Sequence, residues 1–311
     1  MMKRNIKIEV ACEERNVIGE SPIWSTRDDA LYWVDIGGEK IHRLSHDNRH
    51  TSWLMGKRIG AVGIRADGGL IATFPDGIYA VTLDADGQHG AVAMEALALP
   101  TLGPGVRLKE GKVDWAGRYW CGSTGATRQT RDGSLFRLDA TGAFSKVDDG
   151  FILVNGIAFS PDRRTMLMAD SPDDTVYAYD LDSKTGNVLS RRVFFSTAEF
   201  PGVVDGATFD ADGGFWCAFI YDSAIARIDP TGRLDRLVRL PVRHPTMCAF
   251  GGRDLETLYV TSSTSHLTKH ETATQPQAGM LFAIHGLGVR GVIEPSFGQV
   301  WADGLQHTYD G

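Results

Sequence analysis

Three oxygen-bearing side chains stand at the same place in three copies of a repeated sequence pattern. Glu20, Asn155 and Asp205 each precede a short apolar stretch, a polar turn and a second apolar stretch. Carboxylate and amide oxygens are hard ligands that suit Ca²⁺, Mg²⁺ or Mn²⁺ better than a thiol-seeking metal. An Asn-Gly or Asp-Gly pair alone is ordinary turn chemistry, but turns need not agree between copies. The agreement predicts one shared metal site, with coordination positions left for water and substrate.

The repeat that positions these side chains runs through most of the chain. Each copy contains a strand, a turn rich in Asp and Gly, a second strand ending in a small or polar residue, and a third strand such as Val-Tyr-Ala-Tyr-Asp at 176–180. Helical periodicity is nearly absent. Six repeats at spacings of roughly 40 to 50 residues predict an all-β, six-bladed β-propeller of four-stranded antiparallel blades. The copies begin near Gly19, Gly60, Glu110, Asn155, Asp205 and Thr246.

The two ends of the chain must meet if the ring closes, because an open propeller leaves a strand edge unpaired. Ile6, Ile8 and Val10 alternate with polar residues, and we predict that they form the outermost strand of the last blade. No composition shift divides the chain, so we expect residues 1–311 to form one domain, with 299–311 as a loosely ordered tail. Insertions at 124–132 and 262–278 are expected to form loops over one end of the channel.

Composition restricts the class of protein. The chain has 311 residues and a net charge of -7, which disfavours nucleic-acid binding. Residues 1–4 resemble the start of a signal peptide, but Asn5, Lys7 and Glu9 interrupt any apolar core. Since no run approaches the ~18 apolar residues of a membrane span, we expect a cytoplasmic protein without a membrane partner. Cys121 and Cys217 each follow a Trp and are expected to be buried thiols.

Several motifs together resemble the senescence-marker-protein/regucalcin/gluconolactonase family over nearly the whole chain. They are Gly-Glu-Ser-Pro-Ile-Trp at 19–24, Gly-Lys-Val-Asp at 111–114, Gly-Arg-Tyr-Trp at 117–120, Asn-Gly-Ile-Ala-Phe-Ser-Pro-Asp at 155–162, Asp-Gly at 205–206, Cys-Ala-Phe-Gly-Gly at 248–252 and Leu-Tyr-Val-Thr-Ser at 258–262. The resemblance implies a six-bladed propeller that holds one divalent ion through Glu20, Asn155 and Asp205. It also implies hydrolysis of sugar lactones, with Asp205 as general base and Arg107 reaching the substrate.

The expected function is therefore metal-dependent opening of an aldonolactone, such as gluconolactone or arabinonolactone, to the aldonic acid. We expect Ca²⁺ first, with Zn²⁺, Mn²⁺, Mg²⁺ and Fe²⁺ as alternatives, and we place Arg107, Lys109 and Glu110 among the substrate-binding residues. The expected partner is a small-molecule sugar lactone, and the expected assembly is a monomer or a small homo-oligomer.

One position departs from the family pattern. Members commonly have Arg-x-Asn-Asp-Gly-Lys before the third blade, whereas this chain has Arg-Leu-Lys-Glu-Gly-Lys at 107–112. Lys109 thus replaces an Asn that faces metal or substrate, and an ammonium beside a dication is repelled. Four interpretations stay open: Lys109 binds a substrate hydroxyl or carboxylate, donates a proton, weakens metal binding, or points to solvent.

Two other functions fit the same pattern. A phosphotriesterase or fluorophosphatase would use a similar metal site with an aromatic-lined mouth, and a calcium-binding or protein-interaction propeller would hydrolyse nothing. Ser21 and Ser123 lack a Ser-His-Asp context, which disfavours a serine hydrolase. His244 is expected to be a packed or capping residue rather than a pocket residue. The matching positions of Asp35 and Asp170 predict a repeated structural hydrogen bond, and Trp24, Trp120 and Trp216 are expected in the core between blades.

Overall fold

The computed structural model describes residues 5–84, 92–182 and 184–299, and these residues form a ring of six antiparallel four-stranded sheets. The predicted six-bladed propeller is confirmed. The first strand of the chain is β1 (Lys7–Cys12), and five blades of four consecutive strands follow it. Residues 300–311, most of the expected tail, lie outside the described residues.

The strands of the five consecutive blades run in order from the central channel to the rim. Blade 1 contains β2 (Gly19–Ser25), β3 (Ala30–Asp35), β4 (Lys40–Ser45) and β5 (His50–Leu54), and blade 2 contains β6 (Ala61–Ile64), β7 (Leu70–Phe74), β8 (Gly77–Leu83) and β9 (Val92–Ala98). Blade 3 contains β10 (Arg107–Val113), β11 (Tyr119–Thr124), β12 (Gly133–Leu138) and β13 (Phe144–Phe151), and blade 4 contains β14 (Val154–Phe159), β15 (Thr165–Asp170), β16 (Thr175–Leu181) and β17 (Val188–Ser196). Blade 5 contains β18 (Val203–Phe209), β19 (Phe215–Ile220), β20 (Ala224–Ile228) and β21 (Leu234–Arg239).

The sixth blade joins the two ends of the described chain. It contains β22 (Pro245–Gly251), β23 (Thr257–Ser262) and β24 (Leu281–His285), and β1 completes it as the outermost strand. Lys7 lies opposite His285 and Ile8 lies opposite Ile284 in an antiparallel ladder. The predicted closure by the N-terminal strand is therefore confirmed, and it removes the open edge that an unclosed ring would expose.

The hydrophobic core is divided among the six interfaces between neighbouring blades. One buried cluster lies at each interface. Trp120 packs between blades 3 and 4, Trp216 between blades 5 and 6, and Trp24 between blades 6 and 1, as predicted. Since the inner strands are buried on both faces, the backbone at the channel is held rigidly by apolar packing.

Two matching aspartates hold the entry segments of blades 1 and 4. Asp35 accepts backbone hydrogen bonds from Val17 N and Ile18 N at 2.9 Å each. Asp170 accepts equivalent bonds from Ile152 N at 3.1 Å and Leu153 N at 3.0 Å. The structural role predicted for the two aspartates is confirmed.

The insertion at 262–278 contains a short helix, α1 (Lys269–Thr274), so the expectation of a plain loop was incomplete. Thr268 and Glu271 form a reciprocal capping box at its start. In the described part of the chain, no helix is long and apolar enough to cross a membrane.

Candidate active site

The inner strands begin with a repeated local distortion. A β-bulge lies between Glu20 and Ile23 in β2, between Lys109 and Lys112 in β10, and between Asn155 and Ala158 in β14. The residue after the first member of each pair is left-handed, with φ of 52° at Ser21, 51° at Glu110 and 56° at Gly156. A bulge re-aims the adjacent side chain, and a left-handed φ at non-glycine residues is strained. Two such strained residues, Ser21 and Glu110, thus lie at the mouth of the channel.

Counting back from the first hairpin turn of each blade places Lys109 in the repeat. The inner strands enter this turn at Ser25, Asp114, Ser160 and Asp210, and the residues five positions earlier are Glu20, Lys109, Asn155 and Asp205. The copy of the repeat that begins near Glu110 therefore has Lys109 at the shared position, as the family motif implies. The ammonium of Lys109 therefore occupies the position that carries an oxygen donor in the other three blades.

One cavity at the mouth of the channel brings most of the predicted residues together. Glu20, Asn155, Asp205, Arg107 and Lys109 all contribute to its lining. Glu110 is not among the lining residues, because its side chain is buried beside the strand at 5% exposure. The cavity thus contains the proposed metal ligands and two of the three predicted substrate-binding residues, and direct contact between Glu110 and substrate is not supported.

A chain of hydrogen bonds orients the amide of Asn155. The Nδ2 atom donates to Ser171 Oγ at 2.8 Å, and that hydroxyl donates to the carbonyl of Val204. The amide oxygen is left to face the cavity, where it accepts a hydrogen bond from Lys109 Nζ. This contact excludes the interpretation that Lys109 only points to solvent. The remaining interpretations of Lys109 stay open on this geometry.

Three buried carboxyl groups repel one another around this ammonium. Burial raises the pKa of Glu20 well above its ordinary value, and the charges of Asp205 and Glu110 raise it further. Burial also raises the pKa of Glu110 to about 7, against the opposing attraction of Lys109. The pKa of Asp205 is raised by burial and is held down by Lys109 and Arg128. Such carboxyl groups are typical of functional sites, because burial of like charges costs stability.

The donor set fits a divalent cation. A dication would offset the mutual repulsion of the buried carboxyl groups of Glu20, Glu110 and Asp205 and would favour their ionised forms. The Glu110 Oε1 atom is buried without a hydrogen-bond partner, so negative charge there is not satisfied by the protein. No group of three or more His, Cys, Asp and Glu side chains in the described ranges could hold an ion. The fit therefore rests on two carboxylates and one amide oxygen, completed by water or substrate.

Several lining residues were not singled out in the sequence. Arg58 precedes β6, and Arg128 lies in the insertion at 124–132. His266 lies in the insertion at 262–278, and both insertions reach the cavity as predicted. His244 also lines the cavity, whereas the sequence predicted a packed or capping residue. Its ring stands edge-on to Tyr221 with ring centroids 5.3 Å apart, and its Nδ1 atom lies 3.1 Å from the Ser265 carbonyl oxygen. For Arg128 and His266, the only sequence signal was the length of the two insertions, which does not identify individual side chains.

Comparisons with known proteins agree on one family. Residues 18–264 match the family model described as the SMP-30/Gluconolactonase/LRE-like region. A protein of Pseudomonas putida named 6-deoxy-6-sulfogluconolactonase is 37% identical over 295 residues, covering 94% of this chain and 99% of that protein. Regucalcin of Danio rerio is 33% identical, covering 93% and 97% of the two chains. The solved structure of a calcium-binding regucalcin from Agrobacterium tumefaciens is 27% identical with a TM-score of 0.84, covering 93% of this chain and 96% of that chain.

Proposed function

Because the chain belongs to the SMP-30/gluconolactonase/LRE-like family, we propose that it is a metal-dependent lactonase. It opens an aldonolactone of a pentose or hexose, such as gluconolactone or arabinonolactone, to the aldonic acid. The observation that carries the proposal is the convergence of Glu20, Asn155 and Asp205 on one cavity that Arg107 and Lys109 also line. The names of the relatives support lactone hydrolysis as the reaction class.

We assign Glu20, Asn155 and Asp205 as the residues that hold one divalent ion. When bound, that ion supplies Lewis-acid polarisation of the lactone carbonyl. Ca²⁺ is the first candidate, since the donors are all oxygen atoms and a solved relative is described as a calcium-binding protein. The hydrogen bonds from Asn155 to Ser171 and onward to Val204 hold the amide oxygen in place for this role.

Asp205 is the general base of the proposed reaction. A carboxylate has two oxygen atoms, so one can contact the ion while the other accepts a proton from the attacking water. The water oxygen forms a bond to the carbonyl carbon, the bond from that carbon to the ring oxygen breaks, and the proton passes to the ring oxygen. Burial raises the pKa of Asp205, and the positive charges of Lys109 and Arg128 oppose this effect by favouring the ionised form.

Arg107 and Lys109 orient the sugar. Arg107 is the first residue of β10 and is half-buried at the cavity wall, so its guanidinium can donate to ring hydroxyls. Lys109 donates a hydrogen bond to Asn155 and acts on the neighbouring carboxyl groups through its charge. Glu110 acts from behind the lining as a buried counter-charge for Lys109. Four free, buried cysteines suit a reducing compartment such as the cytoplasm.

The phosphotriesterase alternative receives less support from the lining. An organophosphate site would be lined by aromatic side chains, whereas Tyr221 is the one phenol or indole among the described lining residues and charged groups surround it. The non-catalytic alternative differs by predicting no turnover of any lactone with any ion.

A screen of sugar lactones with a pH indicator tests the proposal. The protein is first treated with a chelator, and Ca²⁺, Zn²⁺, Mn²⁺, Mg²⁺ or Fe²⁺ is then added back. We expect acid release from at least one aldonolactone, lost on chelation and restored by an ion. Absence of turnover on every lactone with every ion would refute the proposed function.

A further inference from the structure

Three arginines that line the cavity have no polar partner within the described part of the chain. Arg58, Arg107 and Arg128 come from three separate segments, and all three contribute to the lining. Among the described residues, none of their guanidinium groups has a hydrogen bond or an ion pair. Most other arginines differ: Arg118 pairs with Asp114 at 2.6 Å and Arg227 pairs with Asp210 at 2.6 Å.

Arg107 is repelled by the other two guanidinium groups. Burial lowers the pKa of Arg107, and the positive charges of Arg128 and Arg58 lower it further. Such a concentration of unpaired positive charge is unusual in a chain with a net charge of -7. An anion that enters the cavity would relieve the electrostatic repulsion among these arginines.

The charges of the cavity are separated by depth. Glu20 and Asp205 are at most 9% exposed, whereas Arg58 and Arg128 are exposed and Arg107 is half-buried. The three arginines and Asp205 nevertheless line the same cavity, so they lie within the reach of one small ligand. A substrate whose reacting carbonyl lies at Asp205 therefore extends its far end towards the arginines.

We propose that Arg58, Arg107 and Arg128 form a subsite for an anionic substituent of the lactone, a carboxylate, sulfonate or phosphate remote from the reacting carbonyl. This inference rests on the proposed lactonase function and names the class of its substrate. Arginine is suited to the role because its planar fork donates two parallel hydrogen bonds to such groups. A neutral hydroxyl accepts one of these bonds but leaves the repulsion among the three cations uncompensated.

Paired substrates test the subsite. The kcat/KM of gluconolactone is compared with that of its analogues that carry a carboxylate, a sulfonate or a phosphate at carbon 6, each with the activating ion. We expect at least one anionic lactone to exceed the neutral one by about tenfold or more, as one charge-assisted hydrogen bond provides. The preference should weaken when ionic strength is raised, because the arginines are partly exposed. The analogue with the highest kcat/KM among the three identifies the anion that the subsite prefers.

Arg58→Gln and Arg128→Gln should each lower the ratio of anionic to neutral kcat/KM by about tenfold. The matched control is Arg164→Gln, at an exposed turn residue remote from the cavity, which should leave the ratio unchanged. Because Arg58 and Arg128 are exposed, both variants are expected to fold, and their thermal midpoints are measured beside the kinetics.

Two failures can be told apart. If neutral gluconolactone is hydrolysed as well as every anionic analogue, and the two variants leave the ratio unchanged, the subsite is wrong and the lactonase stands. If no lactone is hydrolysed, the proposed function is wrong. Calorimetric binding of 6-phosphogluconate against gluconate then still tests the arginines: tighter binding that is lost in Arg58→Gln and Arg128→Gln supports the subsite, and equal binding overturns it.

Discussion

Replacement of Lys109 by Asn should strengthen metal binding while it weakens the metal-free fold. The ammonium hydrogen-bonds the Asn155 oxygen that we assign as a metal ligand. A Ca²⁺ ion sits about 2.4 Å from its ligands, so ammonium and ion would lie within about 5 Å of each other. Charges of +1 and +2 at that separation repel by about 2 kcal/mol in water and by about 7 kcal/mol at an effective dielectric constant of 20.

The repulsion energy of about 2 kcal/mol applies best, because Lys109 is partly exposed and its flexible side chain can move away from the ion. It corresponds to a Ca²⁺ affinity of Lys109→Asn at least roughly tenfold above wild type. Without metal, removal of the ammonium leaves Glu20, Glu110 and Asp205 without their cation, so the free energy of unfolding should fall by about 1–3 kcal/mol. At saturating Ca²⁺, the roughly tenfold tighter binding offsets about 1.4 kcal/mol of this loss. The variant should therefore lose less stability in the metal-saturated protein than in the metal-free protein.

Isothermal titration calorimetry with Ca²⁺ on chelator-treated protein measures the affinity, and thermal unfolding with and without Ca²⁺ measures the two shifts. Lys109→Arg keeps the charge and is the matched control, with no gain in affinity. Glu20→Gln should abolish binding in either background. Unchanged or weaker Ca²⁺ binding by Lys109→Asn would refute the charge argument, and would favour a role for Lys109 at the substrate alone.

Three further predictions concern the base and the fold. Asp205→Asn should lower kcat by at least about 10²-fold on every lactone that the wild type hydrolyses, measured by steady-state acid release. His42→Phe should make the free energy of unfolding less sensitive to acid. Burial lowers the pKa of His42 to about 3, so below pH 6.5 the unfolded chain takes up a proton that the folded chain does not. This difference lowers the free energy of unfolding of the wild type by about 2 kcal/mol at pH 5. Asp170→Asn should lower the free energy of unfolding by about 1–3 kcal/mol in a denaturant titration.

Each of the three has an outcome that contradicts it. Near-normal turnover by Asp205→Asn would remove Asp205 as the base. Parallel pH profiles of stability for wild type and His42→Phe would mean that His42 titrates normally in the folded protein. For Asp170, the exposed turn residue Asp212 offers the control Asp212→Asn, and equal unfolding free energies of the two variants would deny the structural hydrogen bonds.

Strand positions were largely predictable from the repeat. The apolar run at 224–228 ends at an Asp-Pro-Thr-Gly turn and predicts the third strand of blade 5, and β20 spans Ala224–Ile228. The same pattern predicts a third strand of blade 6 over 279–284, but β24 begins at Leu281. Gly279 has a φ of 84°, and its carbonyl accepts hydrogen bonds from the backbone and side chain of Asn16. That distant contact is not encoded near Gly279.

The sequence alone determined the ring, its closure by the N-terminal strand and the convergence of Glu20, Asn155 and Asp205, because a repeated local pattern repeats its geometry in every blade. The family motif also placed Lys109 beside them. The sequence did not determine the contacts of this residue and its neighbour: the ammonium of Lys109 hydrogen-bonds the Asn155 oxygen, whereas the side chain of Glu110 is buried away from the cavity. These contacts form only when neighbouring blades pack together. The gathering of Arg58, Arg107 and Arg128 also required the tertiary structure, because their loops meet only when the blades pack around the axis.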